Sequence, residues 1–253
     1  MKLFGVDLGG GRRARSEPSD LARLLERNAK LRDVFEQEPE LRERLAALQR
    51  WQSRRLLRSH SDLRASPRYR AAVDFFFEEL YSGGDPRGRD RDLQRVHRVM
   101  EALLPAQALH SLMLAIDLEI LSQELDAEVA RKLAPGEITV EKYAEAYRRA
   151  GRRRDRERQI ALLDTIGGYL DQVVKKPIIR GLVRMSRSPA HAAGFGALQE
   201  FLERGLDAFE AMHGAGEFLD TLRERETLAM ERMFAGSNDP FEFDELRTKD
   251  RTA

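Results

Sequence analysis

The side chains best suited to chemistry in this sequence are five histidines, His60, His97, His110, His191 and His213, together with several uneven groups of arginine. None of the histidines belongs to an H-E-x-x-H pair, the spacing that sets two ring nitrogens on one helical face around zinc. Cysteine is absent, which excludes disulfides, thiolate metal sites and cysteine nucleophiles. Acids are abundant, but on helices abundant charges are usually solvated faces. No set of residues forms a catalytic signature. No metal and no resident cofactor is expected, and the reading leans away from an enzyme.

Near the start, Val6-Asp7-Leu8-Gly9-Gly10-Gly11 resembles the first phosphate loop of sugar kinases in the actin-like ATPase superfamily. That loop works through a β-hairpin whose glycines approach the phosphates while the Asp positions a metal. Here Arg12-Arg13-Ala14-Arg15 follows, then a helix cap, with no second strand in the pattern. The context argues against the motif.

Charge is balanced overall at +1 but divided along the chain. Arg148 to Arg187 is strongly basic, and Gln199 to Leu246 is strongly acidic. Within the basic part, Arg152, Arg153, Arg154 and Arg156 open a helix, where the macrodipole opposes positive charge by about 0.3–1 kcal/mol per exposed residue. Something anionic should offset that cost. The protein's own acidic C-terminal helices are one source, and an external partner or polyanion bound through phosphate contacts is the other. A third place for chemistry is the glycine-rich stretch after Ser188-Pro189-Ala190. There Gly194 and Gly196 flank Phe195, and Gly205 lies between Phe201 and Phe209 on one helical face. Small residues permit close helix approach or make room for a flat ligand, so His191, Phe195 and Gly205 are the candidate ligand residues.

The elements that must carry these side chains are helical. Ser19 is the expected N-cap of a first helix, with Leu21, Leu24, Leu25, Leu31, Val34 and Phe35 on its apolar side. Pro39 opens a second, whose seam reads Leu41, Leu45, Leu48, Gln52. Ser66 and Pro67 have the form of a cap and first helical position for a third. A fourth helix is expected from about Asp90 to Leu104 and a long fifth from Pro105 toward Leu133. Thr139 then caps a short helix holding Tyr143 and Tyr147, and further helices follow over about 153–174, 177–186, 190–212 and 216–234. No segment shows strand alternation.

One string stands out: Phe75-Phe76-Phe77-Glu78-Glu79-Leu80-Tyr81. Three consecutive phenylalanines sweep about 200° of a helix surface. The helix must therefore be buried on more than one side, or Phe75 must line a pocket or interface. The string resembles the signature of the bacterial "FFLEELY motif" proteins, with Phe77 where that name has Leu. The likeness extends from about Leu41 to Phe234, and it implies no activity and supplies no site residues.

The combined reading is an all-α, compact bundle of roughly eight to ten helices with no sheet. A flexible leader (1–18) precedes an N-terminal helical part (19–134) bearing the FFFEELY helix. A C-terminal helical part (137–235) packs on it as one domain, and an acidic flexible tail (236–253) follows. No apolar run reaches the ~18 residues of a membrane span, so a soluble, cytoplasmic protein that does not engage membranes is expected. The leading function is a non-enzymatic binding or regulatory protein acting through protein contacts or, less favoured, through nucleic acid on Arg152, Arg153, Arg154 and Arg156. The alternative is a helical small-molecule binder with a flat apolar or haem-like ligand near His191, Phe195 and Gly205. The sequence sets no oligomeric state.

Overall fold

The computed structural model describes residues 2–3, 6–7, 19–77, 92–93, 95, 97, 101 and 106–243. The expected all-α fold holds: α1 (Asp20–Gln37), α2 (Pro39–Ser59), α3 (Ser61–Ala65), α4 (Arg70–Phe77), α5 (Ala106–Lys132), α6 (Val140–Ala150), α7 (Arg153–Val174), α8 (Pro177–Met185), α9 (Arg187–Ala192), α10 (Gly196–Ala211) and α11 (Gly216–Ala235). Among the described residues the one departure from a sheetless molecule is a two-residue antiparallel ladder, Lys2–Leu3 with Val6–Asp7. Val6–Asp7 therefore has a strand partner after all, but on its N-terminal side. The ladder does not bracket Gly9–Gly11, which lie outside the described residues. So do most of 1–18, the loop around Gly83–Gly88 and most of the fourth expected helix, of which residues 92, 93, 95, 97 and 101 are described and helical.

Local signals place several helix ends where the residues demand them. Ser19 Oγ accepts from the Ala22 amide at 3.2 Å, and Thr139 Oγ1 accepts from the Lys142 amide at 3.3 Å. Pro39 occupies the first turn of α2, where a missing N–H costs nothing. Two expectations fail. Ser66 does not open a helix. Its amide donates back to the Asp62 and Leu63 carbonyls, closing α3, and α4 begins only at Arg70. The expected helix over 190–212 is broken, because Gly194 takes φ +78° and the Phe195 amide returns to the Ala190 carbonyl. That is a left-handed stop for α9 before α10 starts.

α5, about 40 Å long, packs against α1, α2, α6 and α7. Three apolar clusters surround it and its neighbours, and each draws residues from both sides of Pro135. The first joins Leu41, Leu48 and Trp51 to Tyr143, Tyr147 and Met230. The second joins Leu56, Tyr69 and Val73 to Phe209, Met212 and Phe218. The third joins Leu21 and Ile120 to Phe195 and Leu198.

The phenylalanine helix α4 is buried on two sides, as three successive aromatic residues require. Phe76 meets the rings of Phe209 and Phe218, each 5.9 Å away. Phe75 turns instead to α10, with Phe201 5.5 Å away and its ring end against Gly205, where an added Cβ would lie 2.9 Å from Phe75 Cζ. Gly205 thus serves helix approach. The side chains of Phe77 and Glu78 to Tyr81 lie outside the described residues. Of the segment 236–253, residues 236–243 are described: Phe243 is buried, and Phe241 lies 6.1 Å from both Trp51 and Tyr143.

Candidate functional site

Where α2, α5, α6, α7 and α11 converge, the core stops being apolar. α2 sends in Gln52 and Arg55 three residues apart, the interval that places side chains on one helical face. α5 contributes Asp126 and α6 the i, i+4 pair Tyr143 and Tyr147. α7 presents Arg156, Gln159, Ile160 and Leu163 on one face, and α11 adds Phe218, Leu219, Leu222 and Glu226. With Val73 and Phe76 of α4, these residues line a cavity of about 120 Å³. A single water needs roughly 10–15 Å³ by the same measure, so a small organic molecule fits. One wall is apolar and aromatic, the other polar and charged.

The polar wall is connected but incomplete. Arg55 donates to Glu226 at 2.6 Å, and His60, fully buried behind them, lies 3.2 Å from the same carboxylate oxygen. Burial pushes the Glu226 carboxyl up, but Arg55 and His60 outweigh it and hold the pKa at about 2. Gln52 Nε2 donates to Asp126 at 3.0 Å, while Gln52 Oε1, also buried, has no hydrogen-bond partner. Burial pushes the Asp126 carboxyl upward against the opposing pull of Arg156, the Gln52 amide and Arg55. The Tyr147 hydroxyl is pushed upward too, again by burial.

Arg156 is the unusual member. It is 5% exposed. It donates to Gln159 Oε1 at 3.1 Å and to the Leu125 carbonyl at 3.2 Å, and its guanidinium stacks 4.5 Å over the Tyr147 ring. Among the described residues no carboxylate lies within ion-pair distance of it. Its charge acts on Asp126 only from beyond ion-pair distance and its hydrogen bonds go only to neutral groups, an arrangement that is costly unless an anion joins it.

Neighbouring elements seal this region. Arg225, adjacent to Glu226, points the other way and grips Asp62 in a fork of 2.8 and 2.7 Å, also donating to the Ser59 carbonyl. Burial would raise Asp62, yet the fork lowers it to about 2. Phe241 lies over the Arg55 guanidinium at 4.7 Å, and Gly167 lets α7 approach Leu219 of α11 so closely that a Cβ there would drive into the leucine.

The residues singled out from the sequence do not form one site. His191 is exposed, with its ring against Gly196. Phe195 is buried among Leu21, Ile120 and Leu198, under the Arg95 guanidinium. Gly205 faces the Phe75 ring, and none of the three lines this cavity or the open cleft beside α8. In the arginine run, Arg152 pairs with Asp155 and Glu124, and Arg153 with Glu157 and Glu231. Arg154 is exposed, and only Arg156 reaches the cavity. One Glu-x-x-His spacing does occur, Glu210 to His213, but Glu210 pairs with Arg180 and His213 lies beyond the helix end at φ +51°. Among the described residues no group of three or more His, Asp or Glu can hold a metal ion. What pointed to the cavity in the sequence was Gln52, a polar residue in an otherwise apolar seam, and Arg156, in helical phase with Ile160 and Leu163.

Among the described residues no helix is long and apolar enough to cross a membrane. No curated protein and no solved structure matches the chain significantly. A family model does match, over residues 31–240, and its description assigns no activity. This agrees with the expectation of an uncharacterised family and leaves the FFLEELY likeness as a resemblance. Spanning all of α2 to α11, and hence every residue lining the cavity, that match places the chain in the family defined by the domain of unknown function DUF8198.

Proposed function

We propose that this protein is a binding protein for a small amphipathic carboxylate, held in the cavity between α2, α5, α6, α7 and α11. The observation that carries the reading is Arg156, a buried guanidinium on the cavity wall with neutral partners only. A carboxylate matches its planar donor fork. The unpartnered Gln52 Oε1 asks for a donor on the same ligand, such as a hydroxyl or ammonium group beside the carboxylate. Phe76, Phe218, Leu219 and Leu222 would receive the apolar body. This keeps the small-molecule reading but moves it away from His191. The run Arg152–Arg154 offers little to a polyanion, because Arg152 and Arg153 already have acidic partners.

The test is a thermal-shift screen of small carboxylates, covering hydroxy acids, aryl acids and apolar amino acids, with native mass spectrometry of the purified protein alongside. A ligand at a hundred times its Kd should stabilise the fold by about 2.7 kcal/mol. Arg156→Met, which keeps the length and removes the charge, should abolish the shift. A panel without any stabilising carboxylate, joined to a protein that carries no small molecule from its host, would defeat the proposal.

A further inference from the structure

The outer face of α8 carries what the cavity does not explain. Ile178, Leu182 and Met185 are 73%, 59% and 78% exposed. At positions i, i+4 and i+7 they form one stripe along the helix, while Ile179 and Val183 are half-buried. They are three of the five large exposed hydrophobics among the described residues. Single exposed apolar residues need no explanation, but an aligned stripe does.

The stripe lies within the longest acid-free part of the basic region. From Gln172 to Gln199 there is no Asp or Glu, while Lys175, Lys176, Arg180, Arg184 and Arg187 all fall there. Asp171, Glu210 and Glu203, which pair with Lys175, Arg180 and Arg187, come from α7 and α10. Arg184 is exposed and has no ion pair among the described residues. Beside the stripe, Arg180, Arg184 and Arg187 line an open cleft of about 310 Å³ with Val183, Leu206, Glu203 and Asp207. An apolar ridge on a short surface helix therefore lies beside a charged cleft in which Arg180 and Arg187 are paired with acids of α10 and Arg184 is not.

We infer that α8 docks this protein on an anionic phospholipid surface, with Ile178, Leu182 and Met185 entering the acyl boundary and Arg184 with its basic neighbours meeting phosphate headgroups. Short amphipathic helices with basic flanks lie in the membrane interface with their apolar face about 5–10 Å deep. Charge decides against two other occupants. A second copy meeting this face symmetrically would set the same cations against one another. Nucleic acid would engage the cations and leave the apolar stripe unused. Surface attachment needs no spanning helix, so it is compatible with the lack of one, but it departs from the expectation of no membrane contact.

The experiment is co-sedimentation of the full chain with vesicles of phosphatidylglycerol and phosphatidylcholine, against phosphatidylcholine alone, at low and high salt. Binding should require phosphatidylglycerol and weaken with salt. Arg184→Gln should lower the partition coefficient about fivefold, the effect of one cation near an anionic surface. The double change Leu182→Asp and Met185→Asp should abolish binding. Both side chains are solvent-facing, so an unchanged circular-dichroism melt shows that folding is intact, and Met185→Asp alone serves if the double variant fails to fold. Equal binding to neutral vesicles, no binding at all, or binding that survives the folded stripe variants overturns the inference. Stripe-dependent self-association or capture of an acidic protein, without lipid binding, overturns it as well.

Discussion

The segments 148–158 and 175–187 carry the same net charge, seven arginines against two acids in the first and three arginines with two lysines in the second, and the fold treats them in opposite ways. In the first, Asp155 and Glu157 sit at helical intervals from Arg152 and Arg153, and α5 lends Asp117 and Glu124. Much of the charge is matched locally; of the arginines without an ion pair among the described residues, Arg148 and Arg154 face solvent and Arg156 is turned inward to a cavity. In the second, no acid occurs in the segment itself, and Arg184 remains in solvent beside an apolar stripe. What separates an internal arginine cluster from an outward one is the position of acids three or four residues away and the helical phase of each cation. The net charge does not distinguish them.

The sharpest way to break this comparison is to remove buried arginines and exposed ones by the same substitution. Arg225→Ala should cost about 3 kcal/mol, the low end for breaking a buried pair because Asp62 is partly solvated. Chemical denaturation of this variant beside Arg184→Ala measures the contrast, and similar midpoints would erase it. Acid titration sharpens the same point. Glu226 and Asp62 have pKa values depressed from 4.5 and 3.8 to about 2 in the folded chain. A depressed carboxylate contributes stability that is complete above its unfolded pKa and is lost as pH falls toward its folded one. Stability should therefore decline between about pH 5 and about pH 2, and Glu226→Gln should flatten that slope.

Smaller effects test the inward arginine itself. Without ligand, Arg156→Met should raise stability by about 1 kcal/mol, since it replaces a buried charge that has no carboxylate within ion-pair distance with an apolar chain of similar length. A loss above about 2 kcal/mol in thermal melts would make Arg156 a structural clamp and weaken the case for an anionic ligand. Smallest of all, Arg153→Ala and Arg154→Ala should each stay within about 0.5 kcal/mol of the parent protein.

Helix existence was readable because caps and prolines act locally. Ser19, Pro39 and Thr139 each place a helix start without reference to the rest of the molecule. Ser66 misled because the end of α3 uses its amide, and the carbonyl of the same residue accepts from the turn that follows. The break at Gly194 depends on one glycine taking a left-handed conformation inside a helix-compatible pattern. The cavity was harder. Gln52 and Arg156 were visible as residue types, but Asp126 and Glu226 look like any acid on a charged helix until α2 and α7 are laid beside them. The α8 stripe shows the complementary gap. Its sequence has apolar residues on two faces, and only the packing of Ile179 and Val183 tells which face is left outside.

α5 has a consequence in time. Leu125, Ala127, Val129 and Ala130 are almost wholly inaccessible, and helices press on this stretch from several directions. Its amide protons can reach solvent only when the whole molecule opens, so they should exchange with deuterium at the rate set by global unfolding. α8 is nine residues long and exposes three large side chains, and its amides can exchange through local opening. One protein would then show a slow central helix and a fast peripheral one, with the peripheral helix able to reshape itself at a surface while the centre stays closed.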